Sequence, residues 1–192
     1  MIINIDENQA GLIWMAASAK AEWMLQHNWE PIESEKMKAW NLNKTDKQTY
    51  HQAIGLAGEA AVHLWIFGNL SRFFATQQLN NNNHKGDGGE DIPGVNIKSV
   101  DNLCNEPYKQ MMLIKPSRIS SDIIYLQTMV LIHNPYEFIY NLKVQIIGAI
   151  SGSSVMANFK VDAYPIPCYA IPFDLLYPPE ALLWDEQKRK IK

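Results

Sequence analysis

Between Tyr50 and Phe67 the chain reads YHQAIGLAGEAAVHLWIF, and Gly55, Ala57, Gly58, Ala60 and Ala61 fill its middle with residues that have almost no side chain. This run predicts a slim helix whose backbone can lie close against a sheet. It should start near Asp46 or Thr49, either of which can cap it, and stop at Gly68-Asn69. Leu56, Glu59, Val62, His63 and Ile66 share one face at spacings of three and four. That face sets one carboxylate, Glu59, among apolar neighbours. Either it reaches water at the edge of the face, or a cation or hydrogen-bond donors lie beside it, because an unpaired buried carboxylate is costly. His63 reads as a satisfied core histidine.

The rest of the chain supplies the sheet. A first helix is expected over Gln9–His27, with Leu12, Met15, Ala16, Ala19, Trp23 and Gln26 on one face. Asn28–Asn43 reads as a polar connector, and Leu79–Gly94, rich in Asn, Gly and Asp, as a loop or hairpin lead-in. Strands are expected up to Asp91-Ile92, at Val95–Val100, near Met111–Ile114, and over Ile123–Ile132 and Leu142–Ile150. Turns fall at Pro93-Gly94 and Asn134-Pro135. Beyond Gly152 the chain reads as irregular, since Pro165, Pro167 and Pro172 rule out a long element. A short closing helix is expected to begin near Pro178-Pro179, and the charged tail EQKRKIK reads as frayed. Two helices followed by a run of strands give an α+β class, helices packed on a mixed sheet. The 192 residues suit one domain, with a core of about 46–152 and the N-terminal helix and C-terminal end added to it.

Composition limits the function. A net charge of -3 excludes coating of nucleic acid through bulk positive charge, so any DNA contact needs a local basic patch or a bound cation. The two cysteines, Cys104 and Cys168, match no zinc spacing and read as reduced thiols. No signal-peptide pattern and no bilayer-length apolar stretch is evident, which leads to the expectation of a soluble cytoplasmic protein without a membrane partner. Phosphate-binding GxGxxG and GK[ST] patterns, the GxSxG elbow and calcium-loop spacing are absent.

The remaining chemistry lies in GDGGEDIPGVNIKSV, Gly86–Val100. Alternate strand residues share a face, so Asn96 and Lys98 point one way and Ile97 into the core. The Pro93-Gly94 turn can bring Asp91 beside them. Asp91 and Glu59 offer carboxylates, Asn96 an amide oxygen and Ile97 its backbone carbonyl, which is the oxygen-rich set that Mg²⁺ prefers. Lys98 would sit by a metal-bound water or a scissile phosphate. Taken singly, Asp91 is a turn-former and Lys98 an edge-strand lysine; the argument rests on the set.

These segments, GLAGEAAVHLWI and GGEDIPGVNIKS, resemble the PD-(D/E)XK nuclease superfamily, in which a helix glutamate precedes an aspartate and an acid-x-lysine strand. Glu59, Asp91 and Asn96-Ile97-Lys98 take those places, and SSDIIYLQTMV and VQIIGAISG resemble the following core strands. The resemblance, over about Tyr50–Gly152, implies a restriction-endonuclease-like mixed sheet of about four to five strands flanked by helices. It also implies Mg²⁺- or Mn²⁺-dependent hydrolysis of DNA phosphodiester bonds, with a homodimer as one assembly such enzymes use. Asn96 departs from the acid of the pattern. It lowers the expected metal affinity, and leaves open a migrated acid (Asp87, Glu90, Asp101 or Asp122) or an impaired module that binds DNA or a protein. Candidate backbone contacts are His84, Lys85, Lys115 and Arg118, which flank the site in sequence, and Tyr50, at the expected N-terminus of the Glu59 helix.

Overall fold

A computed structural model describes residues 1–29, 40–83, 91–103, 110–162, 167–183 and 190–191, with backbone only at 78–83, 183 and 190–191. Of the sequence expectations, His84, Lys85, Asp87, Glu90, Cys104, most of the 28–43 connector and most of the charged tail lie outside the described residues.

The main sheet has four strands: β1 (Ile2–Ile5), β2 (Val95–Asp101), β4 (Ile124–Leu131) and β5 (Leu142–Ser151). Their order is β1-β5-β4-β2; β2 runs parallel to β4 and the other pairs are antiparallel. The fold is therefore α+β with a mixed sheet, as the sequence order implies. Strand β1 lies outside the expected elements: four residues ahead of a helix carry little periodic signal, and they form a strand by pairing with β5 far along the chain.

One face of this sheet carries the helices. The long α2 (Lys44–Phe67) lies on it, and α1 (Glu7–Gln26) packs on α2. Asn43 caps α2, its Oδ1 accepting from the Asp46 N–H at 2.9 Å, so the helix starts before the expected caps Asp46 and Thr49. It ends at Gly68 in the left-handed region, φ 69°, a conformation open to glycine. The slim middle of α2 touches the sheet directly: a Cβ on Gly58 would come within 2.0 Å of Ser99 Oγ and 2.3 Å of Thr128 Oγ1. Ile124, Leu126 and Val130 of β4 face these helices, with Leu142, Val144 and Ile146 of β5.

The expected face of α1 is corrected. Its buried seam is Ala10, Ile13, Ala17 and Ala21, whereas Leu12 is 50% and Met15 67% exposed. Because α1 meets the alanine-rich α2, mostly small residues form the contact and permit a close approach.

Among the described residues, no long helix covers the other face of the sheet. A second sheet lies there, in the order β3-β7-β6, from β3 (Met111–Ile114), β6 (Val161–Asp162) and β7 (Cys168–Pro172). Met112, Ile114 and Ile171 pack with Tyr125 and Ile150 of the main sheet and with Val155 of the short α4 (Gly152–Asn158). The described residues beyond Gly152 thus hold more regular structure than the prolines suggest, since β7 finds its partner in β3. Near the C-terminus, Pro179–Ala181 is one 3-10 turn, and β8 (Leu182–Leu183) pairs with β9 (Lys190–Ile191). Among the described residues no helix is long and apolar enough to cross a membrane.

A further helix, α3 (Ser71–Asn83), occupies a stretch whose last residues read as loop. Its asparagines are weak helix formers, and packing supplies the stability: Leu70 and Phe73 are buried in the core shared with α2.

Candidate active site

The site forms at an edge. Strand β2 is the outermost strand of the main sheet, so among the described residues one side of its backbone has no neighbouring strand of that sheet. The chain folds back over this side through a turn at Pro93-Gly94, where Gly94 has φ 76°. Val95 and Ile92 form an antiparallel bridge, and the Asp91 N–H donates to the Val95 carbonyl at 3.0 Å. The strand expected to end at Asp91-Ile92 is therefore reduced, among the described residues, to this bridge. The turn is tied to the sheet by the Ile124 N–H, which donates to the Gly94 carbonyl at 3.0 Å.

This hook brings the Asp91 carboxylate to the outer edge of β2, where Oδ2 accepts a short hydrogen bond from the Ile97 N–H. In an extended strand the N–H and C=O of one residue point to the same side, so the Ile97 carbonyl also faces outward. The Ile97 side chain goes the other way and is buried beneath α2 with Val62 and Val95. Asn96 is 8% exposed, and Lys98 is half-buried.

From α2, Glu59 reaches the same edge. Its Oε2 accepts from Gln77 Nε2 of α3 at 3.0 Å. One turn further along α2, His63 is buried at 5% exposure between the rings of Phe67 and Phe73, at centroid distances of 5.4 and 5.8 Å. Burial lowers its pKa from 6.5 to about 4; a hydrogen bond to the Asp91 backbone opposes the shift and the nearby Arg72 charge adds to it. The ring is thus neutral at pH 7. Its Nδ1 is buried without a hydrogen bond, which leaves Nε2–H to serve Asp91. His63 is the core residue the sequence suggested, and it also steadies the Asp91 hook.

Glu59, Asp91, Asn96, Ile97 and Lys98 line one cleft of about 340 Å³ together with Leu113, Lys115 and Arg118. The two cations are exposed and lie at the ends of a 3-10 turn, Pro116–Arg118, that follows β3. Tyr125, fully buried, fixes this segment: its hydroxyl donates to the Arg118 carbonyl at 2.7 Å and accepts from the Ser120 N–H at 3.0 Å. Burial raises the Tyr125 pKa above its ordinary value, against the Ser120 hydrogen bond, and keeps the hydroxyl a donor.

Other candidates lie elsewhere. Tyr50 is 1% exposed and its hydroxyl donates to Asp101 Oδ2 at 2.7 Å, so it is a core residue and not a surface contact. Nor is it at a helix N-terminus, because α2 begins at Lys44. Asp101 also accepts from the Leu103 N–H at the far end of β2, and Asp122 accepts from Ser121 Oγ; neither lines the cleft as a migrated acid. Gln77 and Leu113 were not singled out from the sequence. Gln77 gives no local signal, since its role depends on α3 folding back on α2; Leu113 enters through the placement of β3.

The comparisons add no relative. Neither family models, nor curated proteins, nor solved structures match this chain.

Among the described residues the donors suit a hard cation: two carboxylates, an amide and an outward carbonyl, all oxygen, with no thiol or imidazole. Among the described residues no group of three or more His, Cys, Asp or Glu side chains forms a metal cluster. With two described acids at the cleft, Glu59 and Asp91, a single cation fits the described donor set better than a pair.

Proposed function

We propose that this chain is a nuclease that hydrolyses phosphodiester bonds in DNA with Mg²⁺ or Mn²⁺. One observation carries the reading: Glu59, Asp91, Asn96 and Lys98, from a helix, a turn and a strand, line one cleft beside Lys115 and Arg118. An acidic chain needs such a local cationic site to take up a polyanion.

Asp91, Glu59, the Asn96 amide oxygen and the Ile97 carbonyl would hold the cation, with Asp91 oriented by the Ile97 N–H and Glu59 by Gln77. When bound, the cation supplies Lewis-acid polarisation of the phosphate and a more acidic water. Lys98 lies beside the attacked phosphate and offsets the negative charge that grows as water adds and the 3′ oxygen leaves in line. Lys115 and Arg118 hold neighbouring phosphates, Arg118 through a planar guanidinium suited to two-point contact. The homodimer, where formed, would present two clefts to two strands.

The test is strand cleavage of plasmid and linear DNA with Mg²⁺ or Mn²⁺, comparing the parent with Lys98→Ala and Asp91→Ala. Each variant should lose at least ~100-fold in rate, the scale of removing one charge-stabilising group. Equal cutting by both variants and the parent refutes the assignment.

A second reading is favoured by Asn96, which stands where the resemblance implies an acid: a catalytically impaired module of the same fold that binds DNA or a protein. It prevails if the parent is inactive with either metal and Asn96→Asp creates activity.

A further inference from the structure

We infer that Gln77 is a positioning residue for Glu59, and that α3 serves as a brace holding both acids of the cleft in place. The inference rests on the cation-binding part of the proposed function and extends it to a helix that the sequence pattern did not reveal.

The geometry is a two-rung ladder. On α2, Glu59 and His63 lie four residues apart, one turn, and share a face. On α3, Phe73 and Gln77 do the same. Phe73 stands edge-on to His63 at 5.8 Å, and Gln77 Nε2 donates to Glu59 Oε2 at 3.0 Å. The pairs 63–73 and 59–77 run in opposite senses along the two helices, so one helix face meets the other in register.

Each rung leads on to the cleft. His63 continues to the Asp91 backbone, and Glu59 itself lines the cleft. Thus α3 steadies Glu59 directly and Asp91 through His63. The brace is itself anchored: Phe73 is 1% and Gln77 7% exposed, and Arg72 lies 4.7 Å over the Phe67 ring of α2. A buried amide donor aimed at a carboxylate favours the ionised acid and limits its rotation, the two properties that a cation-binding carboxylate needs.

The experiment uses the full chain and Mn²⁺ alone as the probe. Mn²⁺ affinity is measured by electron paramagnetic resonance for the parent, Gln77→Leu and Gln77→Met, together with thermal midpoints. Methionine matches glutamine in length without offering a donor, and serves if leucine disturbs folding. The expected result is a 10–100-fold weaker Mn²⁺ Kd for a variant that is folded at the assay temperature, the usual effect of removing a group that orients a metal-binding side chain. In DNA cleavage, kcat should fall while KM for DNA stays near the parent value. A merely structural role would lower the thermal midpoint and leave Kd unchanged in the folded protein; that result overturns the inference, as does a parent that binds no Mn²⁺. Failure of the nuclease reading looks different: the parent binds Mn²⁺, the Gln77 variants bind it more weakly, and no form cuts DNA.

Discussion

Gly58→Ala tests the contact that sets Glu59 at the sheet. A methyl group there meets Ser99 Oγ at 2.0 Å and Thr128 Oγ1 at 2.3 Å, well inside ordinary contact. Neither hydroxyl can yield easily. They hydrogen-bond each other at 2.9 Å, and Thr128 is a fully buried β-branched residue with few alternative rotamers. Overpacking of this kind costs about 1–3 kcal/mol. Loss of the Ser99–Thr128 bond adds about 1 kcal/mol. Better helix propensity returns about 1 kcal/mol. The net is a destabilisation of about 1–3 kcal/mol, or a fall in Tm of roughly 3–10 °C for a chain of this size. Gly55→Ala is the control on the same helix: a Cβ there has nothing within 4 Å, so the propensity gain stands alone and Tm should rise by about 1–4 °C. Scanning calorimetry on both variants gives the comparison. A Gly58→Ala protein as stable as the parent refutes the direct helix-on-sheet contact. If the contact is real, any nuclease activity of Gly58→Ala should fall further than its stability alone explains, because Glu59 is the next residue.

Two further outcomes follow from the cleft. His63 takes up a proton at about 4 in the folded chain and at 6.5 in the unfolded chain, so its contribution is complete above 6.5 and declines as pH falls through that window. The loss by pH 4 is at most about 3 kcal/mol. In EDTA, urea unfolding at pH 7 and pH 4.5 should therefore show a smaller acid loss for His63→Phe than for the parent, and equal losses would contradict this. Lys115→Ala and Arg118→Ala should each raise KM for DNA by about 5–10-fold with little change in kcat and a shallower salt dependence, read from steady-state rates at two salt concentrations. Parent-like KM values for both would remove them from the substrate path.

The sequence carried the elements whose signal is local. Strands β3, β4 and β5 are apolar runs bounded by turn residues, and their limits fall within a residue of where those residues put them. The stop at Gly68 was legible because only the left-handed region ends that helix so simply. The grouping of Glu59, Asp91, Asn96 and Lys98 was legible because a turn and a period of two fix three of them in relation to each other. What was hidden depends on distant partners. Strands β1 and β7 exist through pairing with β5 and β3, and α3 exists through burial of Phe73 against α2. Tyr50 is buried and not at an exposed helix start because Asn43, ahead of the expected caps, opens α2 and leaves Tyr50 inside the helix. Gln77 could not be found without α3, and α1 turns Ala10, Ile13, Ala17 and Ala21 inward instead of the expected face of Leu12 and Met15, because its contact is with the slim α2.

The central claim concerns where a hard cation binds, and a crystal of the parent soaked in MnCl2 addresses it directly. Anomalous difference density should show one Mn²⁺ with carboxylate oxygens of Glu59 and Asp91 at about 2.0–2.6 Å, the range for hard cations and oxygen ligands. A fully soaked crystal with no peak between those two side chains, or with Mn²⁺ only at other acids, contradicts the account.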